Sequence, residues 1–255
     1  MDPLLLGISG SLLAGLATGI GAAGVFLIRR LSLHLETILL SGAAGIMLAA
    51  TFFSLIDPAL ELSAARMPGV AGVLIVTGGI GLGAFFLAGA HALLPHEHFI
   101  SGTEGPPARV ARIWLFIVAI ALHNFPEGMA VGAGFGAGGL SGGLSLATGI
   151  GLQNMPEGLA VAAGLLALQY SRWQAFSIAF LTGLIEPFGG LIGSLALWLA
   201  EPLVPGMLGF AAGAMLYVIS NEIIPETHGG NYKSSATFSF LSGFVLMILL
   251  DHSFA

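Results

Sequence analysis

Apolar residues along this chain neither alternate with polar ones nor keep to a single helical stripe. They run on in long stretches, roughly 3–28, 37–60, 70–94, 110–136, 140–168, 172–200, 203–226 and 236–252, separated by short clusters of Pro, Gly and charge. A helix needs about 20 residues to cross the hydrocarbon core of a bilayer, and these stretches are of that order. The pattern predicts an all-α polytopic membrane protein with eight transmembrane helices and short loops, in one domain over residues 1–255. The Gly-rich segment 131–143 is the weakest boundary, open to one long loop, but the low charge of 129–168 favours two helices meeting there.

Composition supports the same class. Charged residues are 8 % of the chain, against roughly 25 % in a soluble domain, too few to cover a water-facing surface. Gly reaches 39 of 255 residues, and small residues let membrane helices approach closely. With no Cys there is neither a disulfide framework nor thiolate chemistry. A net charge of −6 argues against nucleic acid as a partner. Arg29, Arg30, Arg109, Arg112, Arg172 and Lys233 fall in alternate loops, and only Arg66 in the intervening ones. The excess of Lys and Arg on one side predicts that both termini lie outside the cytoplasm. Met-Asp-Pro carries no basic n-region, so no cleaved signal peptide is expected.

Two internal matches stand out. Ala43-Ala44-Gly45-Ile46-Met47-Leu48 and Ala211-Ala212-Gly213-Ala214-Met215-Leu216 share five identities at an offset of 168. His123-Asn124-Phe125-Pro126-Glu127-Gly128-Met129-Ala130-Val131 and Gln153-Asn154-Met155-Pro156-Glu157-Gly158-Leu159-Ala160-Val161 share six of nine positions at an offset of 30. In the topology above, each matched pair runs in opposite directions. An inverted repeat is therefore expected, spans one to three against spans six to eight around spans four and five. Such repeats are found in secondary transporters, with the binding site where the repeats meet.

The second match is where polar chemistry enters the membrane. An ionisable side chain at mid-membrane costs at least about 2.5–3.5 kcal/mol on insertion scales and needs a partner or a function. His123 and Glu127 share a helix face one turn apart, with Asn124 beside them. Gln153, Asn154 and Glu157 repeat the pattern, and Glu186 follows on the next span. Pro126 and Pro156 deny an N–H to the carbonyls of Leu122 and Leu152, which is tolerated where a helix lines a cavity or binds a cation. Nitrogen and carboxylate donors without sulfur suit zinc, iron, cobalt, manganese or cadmium. Three carboxylates against one imidazole form a cavity that a divalent cation would neutralise.

Residues 123–131 and 153–161, with Glu186, resemble the ZIP (Zrt/Irt-like) family of divalent-metal transporters, and most closely bacterial members with Gln at the start of the second motif. The eight spans and outside termini match it too, so the resemblance covers essentially the whole chain. It implies transport of divalent metal, zinc first, into the cytoplasm through a binuclear site. One metal would be held by His123, Glu127, Gln153 and Glu157. The second would be held by Asn124, Asn154 and Glu186, with Glu127 and Glu157 bridging. Some relatives carry Asp where this chain has Asn154, which removes one negative charge from the second position. The resemblance further implies a homodimer in the cell membrane, the inner membrane of a bacterium, with no prosthetic group. It also implies that spans one, four, five and six move against the other four.

Further polar residues lie toward the span ends. Asp57, before Pro58, suits either a cation-attracting mouth or a helix terminator at the interface. His91, the loop residues His96 and His98, and Glu222, Glu226 and His228 form an expected inner pathway, on the family resemblance. Asp251, His252, His34 and Glu36 rank below these. Two other readings compete with a carrier. An intramembrane metal-dependent hydrolase would need His-Glu-x-x-His on a helix, and the His-Glu present is His96-Glu97-His98 in a loop. A passive metal-selective channel needs the same polar path as a carrier, and the inverted repeat favours the carrier. The short loops hold no nucleotide-binding motif, so ATP is not an expected partner.

Overall fold

The computed structural model describes residues 2–27, 32–67, 69–93, 96–98, 102–104, 112–137, 139–167, 170–199 and 201–254. Helix α1 spans Pro3–Ala22 and tightens into a 3₁₀ turn, Ala23–Phe26. Its start is fixed by Asp2, whose Oδ1 accepts from the Leu4 N–H at 3.0 Å, with Pro3 in the first turn. Helix α2, Leu33–Ala49, is capped by Ser32. It widens into a π segment at Ala50–Ile56 and continues as α3, Asp57–Arg66. The helix therefore does not stop at Asp57-Pro58. Proline falls in the first turn of α3, where its missing N–H is not required.

Helix α4 is Val70–Leu93. The connection after it carries two short antiparallel strands, β1 His96–His98 paired with β2 Gly102–Glu104, the only strands among the described residues. Helices α5, Arg112–Ala137, and α6, Gly139–Ala167, each run through an internal proline, Pro126 and Pro156. The chain turns between them at Gly139, whose φ of +62° is a left-handed conformation open to glycine. Thus 131–143 holds two helix ends. Helix α7, Arg172–Gly183, opens on a Ser171/Gln174 capping box. It breaks at Leu184–Ile185 and resumes as α8, Glu186–Leu199. Helix α9, Val204–Val218, passes through a second π segment, Ile219–Ile223, into α10, Ile224–His228, and α11 is Lys233–Phe254.

Among the described residues, six helical segments are long and apolar enough to cross a membrane: Pro3–Phe26, Leu33–Arg66, Val70–Ala90, Arg172–Leu195, Val204–His228 and Lys233–Ser253. Large apolar side chains such as Leu13, Leu27, Phe85 and Phe238 point outward, whereas Asn124, Glu127, Gln153, Asn154 and Glu186 are buried. That inside-out distribution suits lipid as the surrounding solvent.

Four pairings dominate the packing: α1 with α6, α5 with α8, α4 with α9, and α2 with α11. Each runs parallel. Gly21 and Gly24 lie against Met155 and Leu159, Gly128 and Gly132 against Glu186 and Gly190, Gly79 and Gly83 against Gly206 and Phe210, and Gly42 and Gly45 against Ser239 and Phe240. Most of these are backbone-to-backbone approaches that a side chain would block. Helices α1 and α5–α8 form one group, and α2–α4 with α9–α11 form the other. The groups meet where α2 and α11 touch α6 and where α5 touches α9. Near the latter contact a cavity of about 690 Å³ is lined by apolar side chains, among them Leu82, Phe86, Phe125, Met129 and Phe210. The two ends of the molecule are marked by polar contacts. His34 stacks on Tyr232 and bonds Ser235 at one end. Asp251 Oδ1 accepts from Ser54 Oγ and Ser145 Oγ, at 2.8 and 2.9 Å, at the other.

Candidate metal site

Helices α5 and α6 run antiparallel and bring their Asn-x-Pro-Glu-Gly motifs face to face. Gln153 Nε2 donates to Glu127 Oε1 at 2.7 Å, which joins the first position of one motif to the carboxylate of the other. Asn154 Nδ2 donates to Glu186 Oε1 at 2.6 Å and to the Ala14 carbonyl at 3.0 Å. Glu186 reaches this point because the break at Leu184–Ile185 restarts the helix there, with Pro187 in the first turn. Glu157 is half-buried, and its carboxylate is close enough to act electrostatically on both Glu127 and Glu186.

Each amide uses its N–H on a carboxylate and leaves its own oxygen over. Glu127 Oε2, Gln153 Oε1, Asn154 Oδ1 and Glu186 Oε2 are all buried without a hydrogen-bond partner, and so is Asn124 Nδ2. An orphaned buried polar atom costs about 1–3 kcal/mol, more when charged. Such oxygens, carried by two carboxylates and the two amides bonded to them, are of the donor type a hard or borderline cation takes. No Lys or Arg occurs between Arg112 and Arg172, so neither α5 beyond Arg112 nor α6 supplies a permanent positive charge to neutralise the cluster. Glu127, Gln153, Asn154, Glu157 and Glu186 are thus brought together, with Asn124 buried one turn from Glu127 on α5. The His123 side chain lies outside the described residues. Among those that are described, no three His, Asp or Glu side chains converge on one metal position; the amides stand between the carboxylates.

The expected pathway residues are spread over both ends. Asp57 is exposed in the first turn of α3, toward the end marked by Asp251. Glu222 is buried in the second π segment, and Glu226 and His228 are half-buried on α10, toward the end marked by His34. The ring of His228 bonds its neighbour Thr227. His91 is in the last turn of α4 and His96 and His98 are on β1; their side chains lie outside the described residues. One contact was not singled out from the sequence, and one residue ranked below the pathway set. The Ala14 carbonyl is main chain and invisible to composition. Asp251, ranked low, ties α11 and the first π segment to α6; its signal was a carboxylate near the end of an apolar span.

Comparison with known proteins gives a consistent result. Residues 95–251 match the family described as ZIP Zinc transporter. The chain is 46 % identical over 249 residues to "Zinc transporter GufA" of Myxococcus xanthus, covering 97 % of this chain and 98 % of that one. It is 43 % identical over 240 residues to "Zinc transporter ZIPB" of Bordetella bronchiseptica, covering 92 % and 77 %. It is 37 % identical over 254 residues to "Zinc transporter ZupT" of Chlorobium phaeovibrioides, covering 94 % of each.

Proposed function

Because the chain belongs to the ZIP zinc-transporter family, we propose that it carries divalent metal, zinc first, into the cytoplasm through a binuclear site between α5, α6 and α8. The observation that carries the site is the set of buried, unpartnered oxygens on Glu127, Gln153, Asn154 and Glu186. A cation arriving there replaces lost hydration with protein oxygens and meets the charge of three carboxylates. His123, Glu127, Gln153 and Glu157 take one metal. Asn124, Asn154 and Glu186 take the second, with the two motif glutamates bridging. Cadmium, iron, manganese and cobalt fit the same oxygen and nitrogen donors. A homodimer is part of the proposal on the family resemblance alone.

The helices belong to eight spans with an inverted repeat. Under the correspondence of spans one, two, three and four with six, seven, eight and five, the four dominant pairings exchange in twos. The α1–α6 pair maps onto α8–α5, and α4–α9 onto α11–α2. The matched blocks 43–48 and 211–216 each lead into a π segment and then a proline, Pro58 and Pro225. π segments are rare and concentrate at functional sites, so two at repeat-related places support common architecture. Two helix groups meeting beside an apolar cavity of about 690 Å³ support a carrier in which one group moves against the other, rather than a fixed pore.

Zinc flux into liposomes containing the purified protein, followed with a trapped zinc-sensitive dye, tests the function. Saturable uptake well above empty liposomes is expected; uptake equal to empty liposomes would remove zinc transport by this chain. Orientation is tested separately. A single Cys at Met67 should react with an impermeant thiol reagent added to spheroplasts, and one at Ser101 should be protected until the membrane is opened. The reverse pattern would put the termini inside.

A further inference from the structure

Among the described residues two buried hydroxyls have no partner, Ser41 on α2 and Thr18 on α1, and Thr18 is the one beside the site. Other helical Thr side chains bond a carbonyl of the preceding turn: Thr37 to Leu33, Thr51 to Met47, Thr77 to Val73 and Thr227 to Ile223, four residues back, and Thr182 to Ala179, three back. Thr18 Oγ1 on α1 is buried, in a residue only 2 % exposed, and has no partner. The carbonyl four residues back is that of Ala14, which accepts instead from Asn154 Nδ2.

The offset of 168 that matches residues 43–48 to 211–216 also carries Thr18 onto Glu186 and Gly15 onto Gly183. Packing follows the same correspondence. Gly158 of the second motif lies against the backbone of Thr18, as Gly128 of the first lies against the backbone of Glu186. Gly21 faces the Met155 carbonyl, as Gly189 faces the Phe125 carbonyl. A Cβ placed on Gly183 would sit 3.0 Å from Thr18 Oγ1, and one placed on Gly15 would sit 3.4 Å from Glu186 Oε1. Each side chain thus points across the seam between α1 and α7–α8 at the glycine preceding its counterpart by one turn. The correspondence fails at one bond. Asn154 Nδ2 donates to Glu186, whereas Asn124 Nδ2 and Thr18 Oγ1, the related atoms on the other side, are both buried and both without a partner.

We infer that Thr18 is a further metal-handling residue, the neutral counterpart of Glu186. Its Oγ1 gives an oxygen to the transported divalent cation, or to one of that cation's bound waters, on the Glu157 side of the site. A hydroxyl holds a divalent cation less firmly than a carboxylate does. The two repeat-related corners are therefore unequal: the cation is held at Glu186 and passes more readily at Thr18. This rests on the metal-transport reading above and adds α1 to the helices that line the path.

Zinc uptake by Thr18→Val and Thr18→Ser, in the full protein in liposomes, tests the inference. Val keeps the shape and removes the oxygen; Ser keeps the oxygen. Thr18→Val is expected to raise the zinc concentration for half-maximal uptake by roughly tenfold, the low end of the loss seen when a supporting group at a metal site is removed. Thr18→Ser should stay within about twofold of the parent on the same scale. The melting temperature of Thr18→Val should not fall, because its hydroxyl has no partner to lose. Normal half-saturation in Thr18→Val would overturn the inference, as would equal impairment of Val and Ser, which marks a packing role. Should Val not insert, Thr18→Ala is read by the same criterion. Glu157→Ala separates this from its premise: if that variant is inactive while Thr18→Val is normal, only the Thr18 inference falls, and if Glu157→Ala transports normally, the site itself falls.

Discussion

Glu127→Ala is expected to bring zinc uptake in cells to the level of cells lacking the protein, at equal amounts of inserted protein, and Glu157→Ala to do the same. Two consequences of the Glu127 change act together. The cation loses a carboxylate proposed to bridge both metal positions. Gln153 Nε2 loses its acceptor, the Glu127 Oε1 it meets at 2.7 Å, so the second motif loses its anchor to the first. Removing one partner of a hydrogen-bonded buried group leaves the other unsatisfied, at a cost of about 1–3 kcal/mol. That penalty perturbs the site geometry even before metal arrives. Glu127→Gln separates the two effects. It keeps a side chain that can accept from Gln153 but removes the charge, so it should preserve stability and still transport little. Near-parental uptake by Glu127→Ala and Glu157→Ala together would contradict a shared two-metal site.

Gly128→Ala is expected to cause the largest loss among conservative changes near the site. The added Cβ would lie 2.6 Å from both the Cα and the carbonyl carbon of Glu186, and closer still to its carbonyl oxygen. None of these is a flexible side-chain end, so α5 and α8 must separate. Overpacking a filled interior costs about 1–3 kcal/mol, occasionally more. The separation also carries Glu186 away from Asn154, whose hydrogen bond of 2.6 Å holds that side of the site together. Lower melting temperature and strongly reduced zinc uptake should appear together. Gly81→Ala is the matched control, because a Cβ there meets nothing within 4 Å. A Gly128→Ala protein as stable and active as Gly81→Ala would show that α5 and α8 do not pack as described.

Much of the helical layout was legible because lipid imposes a length. Apolar runs near 3–28, 70–94 and 236–252 became Pro3–Phe26, Val70–Leu93 and Lys233–Phe254 with shifts of a few residues. The second apolar run reads as ending at 60, just past Asp57-Pro58. The structure continues to Arg66 because the π segment ends there and proline enters the first turn of a renewed helix. Pro225 does the same after the second π segment, and Pro187 after the break at Leu184–Ile185. A π turn has no composition of its own, so neither segment was readable in advance. The candidate site drew notice in the sequence where it was unusual, with Asn, Pro and Glu doubled inside apolar spans. It was silent where α1 contributes, because the Ala14 carbonyl belongs to a residue that looks like packing, and Asn154 reaches it only once α1 and α6 lie parallel.

The central claim is that zinc is held between the two motifs and Glu186. Diffraction from crystals of the zinc-loaded protein, measured on both sides of the zinc absorption edge, locates the metal directly. The expected result is anomalous density among Glu127, Gln153 and Glu157, with a second peak of equal or lower occupancy beside Asn154 and Glu186. Zinc found only at the β1 histidines or at Asp251, with none between α5 and α6, would contradict it.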